Sequence, residues 1–334
     1  MTNMVDDNSP LLDIRNLSVR FNTDSGVVEA VNNLNLFLRK GKALGLVGET
    51  GAGKTTTALA VLRLIQSPPG EVTNGEIIFE GQDIMKMTEA EMRHIRGDRI
   101  AMIFQDPMSS LNPIMTVEEQ IMEMISLHSD LNKEQAHERA LEMLKLVGIR
   151  TERAKDFPHQ FSGGMRQRVG IAIALACKPS LLIADEATTA LDVTIQAQVL
   201  ELIKELQSVV NTSLILITHD LGIVSEICDD VAIMYAGRLV EYSDIRSLYS
   251  KPMHPYTQGL FNAVPSLDSD ISQKLHVIPG LPPDPTDLPK GCCFSPRCPY
   301  ARDICHEKAC GMKEYEPNHF VDCYFPLGVE GRRP

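Results

Sequence analysis

Nine residues, GETGAGKTT, carry the pattern G-x-x-x-x-G-K-[ST] between the apolar run ALGLV and a helical pattern. They are Gly48, Glu49, Thr50, Gly51, Ala52, Gly53, Lys54, Thr55 and Thr56. With glycine near 7% of residues, the pattern arises by chance in about one chain in a hundred of this length. Its strand-loop-helix setting makes the plain alternative, a glycine-rich turn, a poor account. Glycines let backbone N–H groups wrap phosphates with no Cβ in the way, and the helix start adds positive dipole. Lys54 would reach the β and γ phosphates, and the Thr55 hydroxyl would ligate magnesium.

A second constellation closes the apolar run LLIADEA, where Asp185 and Glu186 stand side by side. Two carboxylates there can divide labour, Asp185 orienting the magnesium shell and Glu186 positioning or deprotonating a water. Alone, such a pair reads as a solvated turn. Beside a phosphate loop it reads as a hydrolase site.

Cysteine supplies the third. Six of the eight cysteines fall between Cys292 and Cys323, while Cys177 and Cys228 stand apart in apolar surroundings and read as core residues. Five residues separate Cys292 from Cys298, six separate Cys298 from Cys305, and seventeen separate Cys305 from Cys323. Zinc ribbons and common ferredoxins prefer shorter gaps. The spacing therefore points to a soft-metal thiolate site and leaves the metal open.

The elements that must hold these groups follow from apolar periodicity. LLDIRNLSVRF alternates as a half-buried strand does. KALGLVG, RIAMIF, SLLIAD and SLILITH are short apolar runs of the kind buried on both faces of a sheet. TIQAQVLELIKEL places Ile195, Val199, Ile203 and Leu206 on one helical face. Strands alternating with amphipathic helices predict an α/β fold with a parallel sheet and ligands at the carboxyl ends of its strands. From about Ser109 the rhythm changes to helices, VEEQIMEMISLH and NKEQAHERALEMLKLVG, predicting a helical insertion over about 109–178. Its Met122, Met124 and Met143 read as core filler before they read as a partner surface. Near the end, PGLPPDPTDLPKG has five prolines in thirteen residues and predicts an extended linker.

Composition sets bounds. At 334 residues and 43% hydrophobic, the chain can bury a real core. The polar, acidic start, MTNMVDDNSP, lacks a secretory pattern, and the most apolar region falls short of the roughly 20 residues a bilayer span needs. A chain neither secreted nor membrane-spanning is expected. A net charge of −12 argues against a broad nucleic-acid footprint.

The stretch FSGGMRQRVGIAIALA resembles the signature of ATP-binding-cassette (ABC) proteins, and further motifs stand in the family's order. Gln105 in FQDP is similar to the Q-loop glutamine, Asp192 ending TALD to the D-loop, and His219 in LITHD to the switch histidine. The resemblance implies a P-loop NTPase ABC cassette: a RecA-like parallel sheet core, an N-terminal antiparallel β subdomain and an inserted helical subdomain. It implies that two cassettes pair head to tail, with Ser162, Gly163 and Gly164 of each meeting the γ-phosphate of the other's ATP. Gln105 would sense the nucleotide and join Thr55 and Asp185 around magnesium, His219 would contact the γ-phosphate and water, and Phe21 would stack on adenine. A structural histidine and a core-facing aromatic are the alternatives for the last two. Ala187 stands where the family usually has proline and Thr50 where serine is common, and neither removes a catalytic group.

FQDPMSSLNPIMTV, FPHQFSGGMRQR and HPYTQGLFNAVP narrow the resemblance to the ATPase subunits of bacterial dipeptide and oligopeptide importers, the dipeptide-type first subunit above all. This implies a flexible start over 1–10, an ATPase domain over 11–245 and a C-terminal extension over 246–334. It implies as partners a homologous second ATPase, two membrane permeases and, indirectly, an extracellular peptide-binding protein, at the cytoplasmic face of the membrane. Relatives that import nickel chelates, glutathione or sugars leave the solute open. A soluble ABC ATPase, or a redox enzyme built around the cysteines, are the competing classes. Some family members hold a four-iron, four-sulfur cluster in a tail of this kind, with Cys292, Cys298, Cys305 and Cys323 matching its pattern and Cys293 and Cys310 left over. Zinc remains the alternative metal.

Overall fold

The computed structural model describes residues 9–105, 110–186, 193–263 and 277–329. Their contacts group into two compact units, taken in turn. The first comprises Met1–Leu11, Leu38–Ala43 and Asp83–Ile217; the second comprises Leu12–Phe37, Leu44–Gln82 and Thr218–Pro334.

The first unit carries three parallel strands, β6 (Ile100–Ile103), β7 (Leu181–Asp185) and β8 (Ser213–Thr218), with β7 in the middle. Every residue of β7 and β8 is buried, as their unbroken apolar runs require. The unit's helices are the short α2 (Glu89–Ile95), α3 (Val117–His128), α4 (Lys133–Leu146), α5 (Gly163–Leu175) and α6 (Val193–Val210); α5 packs on β6, and α3, α4 and α6 pack on α5. Helix starts are written in the sequence. Thr88 with Glu91, Thr116 with Glu119 and Asn132 with Gln135 each close a capping box on α2, α3 and α4. Val117, Ile121 and Ile125 of α3 bury one stripe, and Ala136, Ala140, Met143 and Leu144 of α4 another. Met143 is thus core, while Met122 and Met124 are half-buried. Val199 and Ile203 of α6 are buried; the side chains of Ile195 and Leu206 lie outside the described residues.

The second unit begins with the antiparallel strands β1 (Pro10–Thr23), β2 (Gly26–Arg39) and β4 (Gly70–Phe79), β1 lying between the other two, with the short β5 (Gln82–Asp83) beyond β4. Its second sheet places β3 (Ala43–Val47) parallel to β9 (Asp230–Tyr235), then β10 (Arg238–Asp244) antiparallel to β9. The β9–β10 turn puts Ala236 and Gly237 at positive φ, 46° and 78°, the conformation a two-residue hairpin demands. Helix α1 (Lys54–Val61) follows β3, and α7 (Leu221–Ile227) crosses so near that strand that a Cβ on Gly45 would meet Val224 Cγ1 at 2.5 Å.

The C-terminal residues are built into this same sheet. After α8 (Ile245–Ser250) and α9 (Pro255–Ala263), the chain passes the proline-rich stretch and α10 (Asp303–Glu307). It then adds β12 (His319–Val321) to β10 and β11 (Lys313–Glu316) to β12. A buried carboxylate fastens the join. Glu241 on β10, fully buried, accepts hydrogen bonds from Met253 N (2.7 Å), His254 N (2.9 Å) and His319 Nε2 (2.7 Å). His254 then accepts Tyr256 N at its own Nδ1 (3.1 Å), which only an imidazole unprotonated at that nitrogen can do.

Burial holds the His254 pKa at about 4, below its ordinary 6.5, against a smaller opposing pull from Glu241. Between those values the unfolded chain binds a proton that the folded chain refuses, so stability falls as pH drops through the window. Full depression over that window corresponds to about 3 kcal/mol. Denaturant titrations at pH 7.5 and about 4.5 should show this loss, and His254→Gln should shorten it; an equal pH slope in the variant would reject the assignment.

Candidate functional site

In the second unit, the fully buried β3 ends at Val47 and the chain turns through Gly48–Gly53 into α1. Two close approaches demand glycine. A Cβ on Gly48 would lie 2.2 Å from Met234 O, and one on Gly53 would lie 2.4 Å from Ala30 O, with φ at +96° besides. The turn is cross-braced by Ala52 N to Glu49 O (3.1 Å) and Gly237 N to Ala52 O (3.1 Å). Lys54, only 6% exposed, curls back so that Nζ donates to Gly48 O (2.7 Å) and Glu49 O (3.1 Å). Thr55 is exposed on the first turn of α1, Thr56 is half-buried, and Thr57 donates to Gly53 O (2.9 Å). The N–H groups of a helix start have no intrahelical acceptor, so this turn is a ready anion cradle.

Glu49 is held from a distance in sequence. Its N–H donates to the Tyr256 hydroxyl (3.0 Å), and its carboxylate accepts from Arg297 Nη1 (2.9 Å). Arg297 also donates to the Tyr235 hydroxyl (3.2 Å) and to Pro279 O (3.0 Å). Burial alone would lower the Arg297 pKa, but the bonds and charges of Glu49 and Tyr235 outweigh it and hold it above the ordinary value. Phe294 completes an aromatic cluster with Tyr235 and Tyr256, ring centroids 5.3 and 5.4 Å away. The proline-rich stretch is no free spacer here. Pro285 O accepts Glu29 N (3.0 Å), and Pro282, Pro283 and Pro285 share a cavity of about 140 Å3 with Glu49, Thr50, Gly51 and Ala52.

Of the remaining predicted residues in this unit, His219 is exposed just past β8, before Asp220 caps α7. Phe21 is half-buried near the end of β1, opposite Gly70 of β4.

In the first unit, β6 and β7 are parallel with Ile103 level with Ala184. Two residues further along each strand, Gln105 and Glu186 therefore meet, Gln105 Nε2 donating to Glu186 Oε2 at 2.6 Å. Asp185 is buried at 3% exposure, while half-buried Glu186 sits at φ 43° and ties its N–H to Ile217 O (2.9 Å). A non-glycine residue in that left-handed region costs about 1–3 kcal/mol and marks a constrained position. Ser162 is exposed and caps α5, its Oγ accepting Met165 N at 3.4 Å, with half-buried Gly163 and Gly164 on the first turn. Behind it Arg153 stacks 4.2 Å above the Phe161 ring. Asp192 and Ala187 lie outside the described residues.

The cysteines predicted to act together line one cavity of the second unit: Cys292, Cys298, Cys305 and Cys323, joined by Cys310. Cys293 is buried and does not line it. None of the eight cysteines forms a disulfide. Three of the lining sulfurs accept an N–H from the residue two further on: Cys292 from Phe294, Cys298 from Tyr300, and Cys323 from Phe325. Burial, with neighbouring thiols adding, pushes Cys292 and Cys323 up to about 12. A Cβ on Gly291 would lie 2.2 Å from Cys305 O, so the Gly-Cys pair lets Cys292 N reach that oxygen at 2.7 Å. Among the described residues, no group of three or more His, Cys, Asp or Glu is arranged to hold a metal ion. None of their helices is long and apolar enough to cross a membrane.

Arg297, Tyr235 and Tyr256 escaped sequence reasoning as site residues. HPYT was visible only as a family-like string, and an arginine inside SPRCP carries no sign that it will be buried.

Comparison with known proteins agrees with this geometry. The ABC transporter family model matches residues 31–189, and the model for the oligopeptide/dipeptide transporter C-terminal region matches 240–305. The oligopeptide transport ATP-binding protein OppD of Bacillus subtilis is 50% identical over 93% of this chain and 87% of its own. The dipeptide transport ATP-binding protein DppD of Escherichia coli is 45% identical over 96% and 98%. A dimeric post-hydrolysis structure of the ATP-binding cassette MJ0796, bound to ADP and Pi, aligns with a TM-score of 0.63 at 26% identity, covering 70% of this chain and 99% of that one. The phosphate loop, the Asp185–Glu186 strand end and the C-terminal segment that grips Glu49 thus share one lineage: this chain belongs to the ABC transporter ATPases that carry the oligopeptide/dipeptide transporter C-terminal region.

Proposed function

We propose that this chain hydrolyses ATP to drive uptake of dipeptides or oligopeptides, paired head to tail with a homologous second ATPase. Beneath it in function lie two membrane permeases and an extracellular peptide-binding protein, with the cassettes at the cytoplasmic face. The relatives' names, oligopeptide and dipeptide transport ATP-binding proteins, carry the solute class. A nickel chelate or glutathione remains the alternative cargo, and a soluble non-transport ATPase the alternative role.

The observation that carries the chemistry is the Gln105–Glu186 contact at adjacent strand ends. It holds a carboxylate in one orientation at the carboxyl edge of a parallel sheet, where ligands collect. In this reading the loop N–H groups and Lys54 hold the phosphates, and Phe21 faces the adenine. Thr55, Asp185 and Gln105 would hold magnesium, which when bound neutralises charge on the phosphates. Gln105 must then leave Glu186, freeing that carboxylate to orient and deprotonate the attacking water, while His219 steadies it. Ser162, Gly163 and Gly164 would present a hydroxyl and a helix start to the nucleotide of the opposing cassette, with Asp192 as the D-loop residue.

To Cys292, Cys298, Cys305 and Cys323 this reading gives a four-iron, four-sulfur cluster in a structural or regulatory role; their convergence on one cavity favours it, and holding it would require the thiols to draw into a metal-binding arrangement they do not have as described. Bound there, such a cluster would cross-link segments far apart in sequence.

Glu186→Gln should lower kcat at least ~100-fold while ATP still binds; unchanged turnover would refute the catalytic assignment. Protein purified without oxygen should be brown and contain iron and acid-labile sulfide. Stoichiometric zinc, or no metal at all, would overturn the cluster. Purifying the native complex should recover two hydrophobic permeases and a bound peptide, and a soluble partner in their place would sink the transport reading.

A further inference from the structure

We propose that Arg297 is a positioning residue for ATP binding: from the C-terminal region it holds the Glu49 carboxylate, and through it the conformation of the phosphate loop. This rests on the reading of Gly48–Thr56 as the ATP site.

Three observations carry the inference. First, Glu49 is gripped at each of its polar groups. The N–H is bound by Tyr256, the carbonyl by Lys54 and Ala52 N, and the side chain by Arg297. Fixing all of these fixes the peptide planes on either side of the residue, and so the direction in which the next N–H groups point.

Second, the arginine is itself immobilised. Its side chain is 6% exposed, and its remaining donors reach Tyr235, Pro279 O and Ile278 O at 3.2, 3.0 and 3.5 Å. It sits on a single helical turn, Ser295–Arg297, whose backbone is pinned to Cys292 by Ser295 N at 2.9 Å. A guanidinium so placed cannot follow a drifting carboxylate. It acts as an anchor, and it is buried enough that removing either partner leaves a charge uncompensated.

Third, the loop needs an outside anchor. Gly48, Gly51 and Gly53 give it little stiffness of its own, and Gly51 at φ +81° has open space around its Cα.

The test uses the full chain and compares Arg297→Met, Arg297→Lys, Glu49→Gln and the Glu49→Gln/Arg297→Met double variant. KM for ATP, kcat and the melting temperature are measured for each. Arg297→Met should raise KM about tenfold, by more than it lowers kcat, and Arg297→Lys should recover part of the loss. The double variant should be no worse than Arg297→Met, because both changes remove one contact. Unchanged KM with only a lower melting temperature would overturn the inference, as would fully multiplying effects. Should Arg297→Met not fold, Glu49→Gln decides alone: a raised KM supports the inference and an unchanged KM rejects it. Lys54→Ala separates the two levels. If it leaves KM as in the wild type, the ATP site itself is misread; if it abolishes turnover while Arg297→Met leaves KM unchanged, only the anchor fails.

Discussion

Glu49 is the residue on which the C-terminal half and the phosphate loop of the second unit converge. Its carboxylate meets Arg297, 248 positions later, and its N–H meets the Tyr256 hydroxyl. A phosphate cradle needs several N–H groups aimed at one point, which is an entropically costly arrangement for a glycine-rich turn. Here the constraint comes from rigid neighbours: the β9–β10 turn against Ala52, the Ala30 carbonyl against Gly53, and the aromatic cluster that backs Arg297.

The same economy governs the C-terminal residues. A detached tail of this composition has little apolar surface to bury, but as strands β11 and β12 it inherits the edge of an existing sheet. Glu241 makes that edge specific. Buried and bonded to two backbone N–H groups and an imidazole, it is satisfied only when the His254–Tyr256 turn and β12 are both in place. The turn that Glu241 fixes is the one that delivers Tyr256 to Glu49, so a network remote from the loop is hydrogen-bonded through to it.

In the first unit the decisive constraint is strand register. Parallel pairing sets Ile103 beside Ala184 and Asp185 beside Ile217, so whatever follows β6 and β7 arrives at the same edge. Glu186 then takes a left-handed backbone conformation, anchored on Ile217 O, that turns its side chain to Gln105. A sheet of buried, mostly aliphatic residues thereby places two polar groups with a precision that neither loop could achieve alone.

Much of this was legible beforehand, for identifiable reasons. Phosphate chemistry demands glycines and a lysine at set spacing, buried parallel strands demand unbroken apolar runs, and helical patterning announces α3, α4 and α6. These are local rules, satisfied within a few residues, so the linear chain alone determined an α/β fold with buried parallel strands and the glycine-rich turn of Gly48–Thr56, while the cassette architecture followed from resemblance. The β11–β12 hairpin was not legible, because KEYEPNHFV is short and polar and becomes a strand pair only against β10. Nor was the path of the proline-rich stretch, whose lack of helix or strand says nothing about what it lies on. The pairing of Gln105 with Glu186, the burial of Arg297 and its grip on Glu49 were decided by tertiary structure alone. Each joins residues tens to hundreds of positions apart, and such contacts depend on strand order and packing, which no local pattern of residue types encodes.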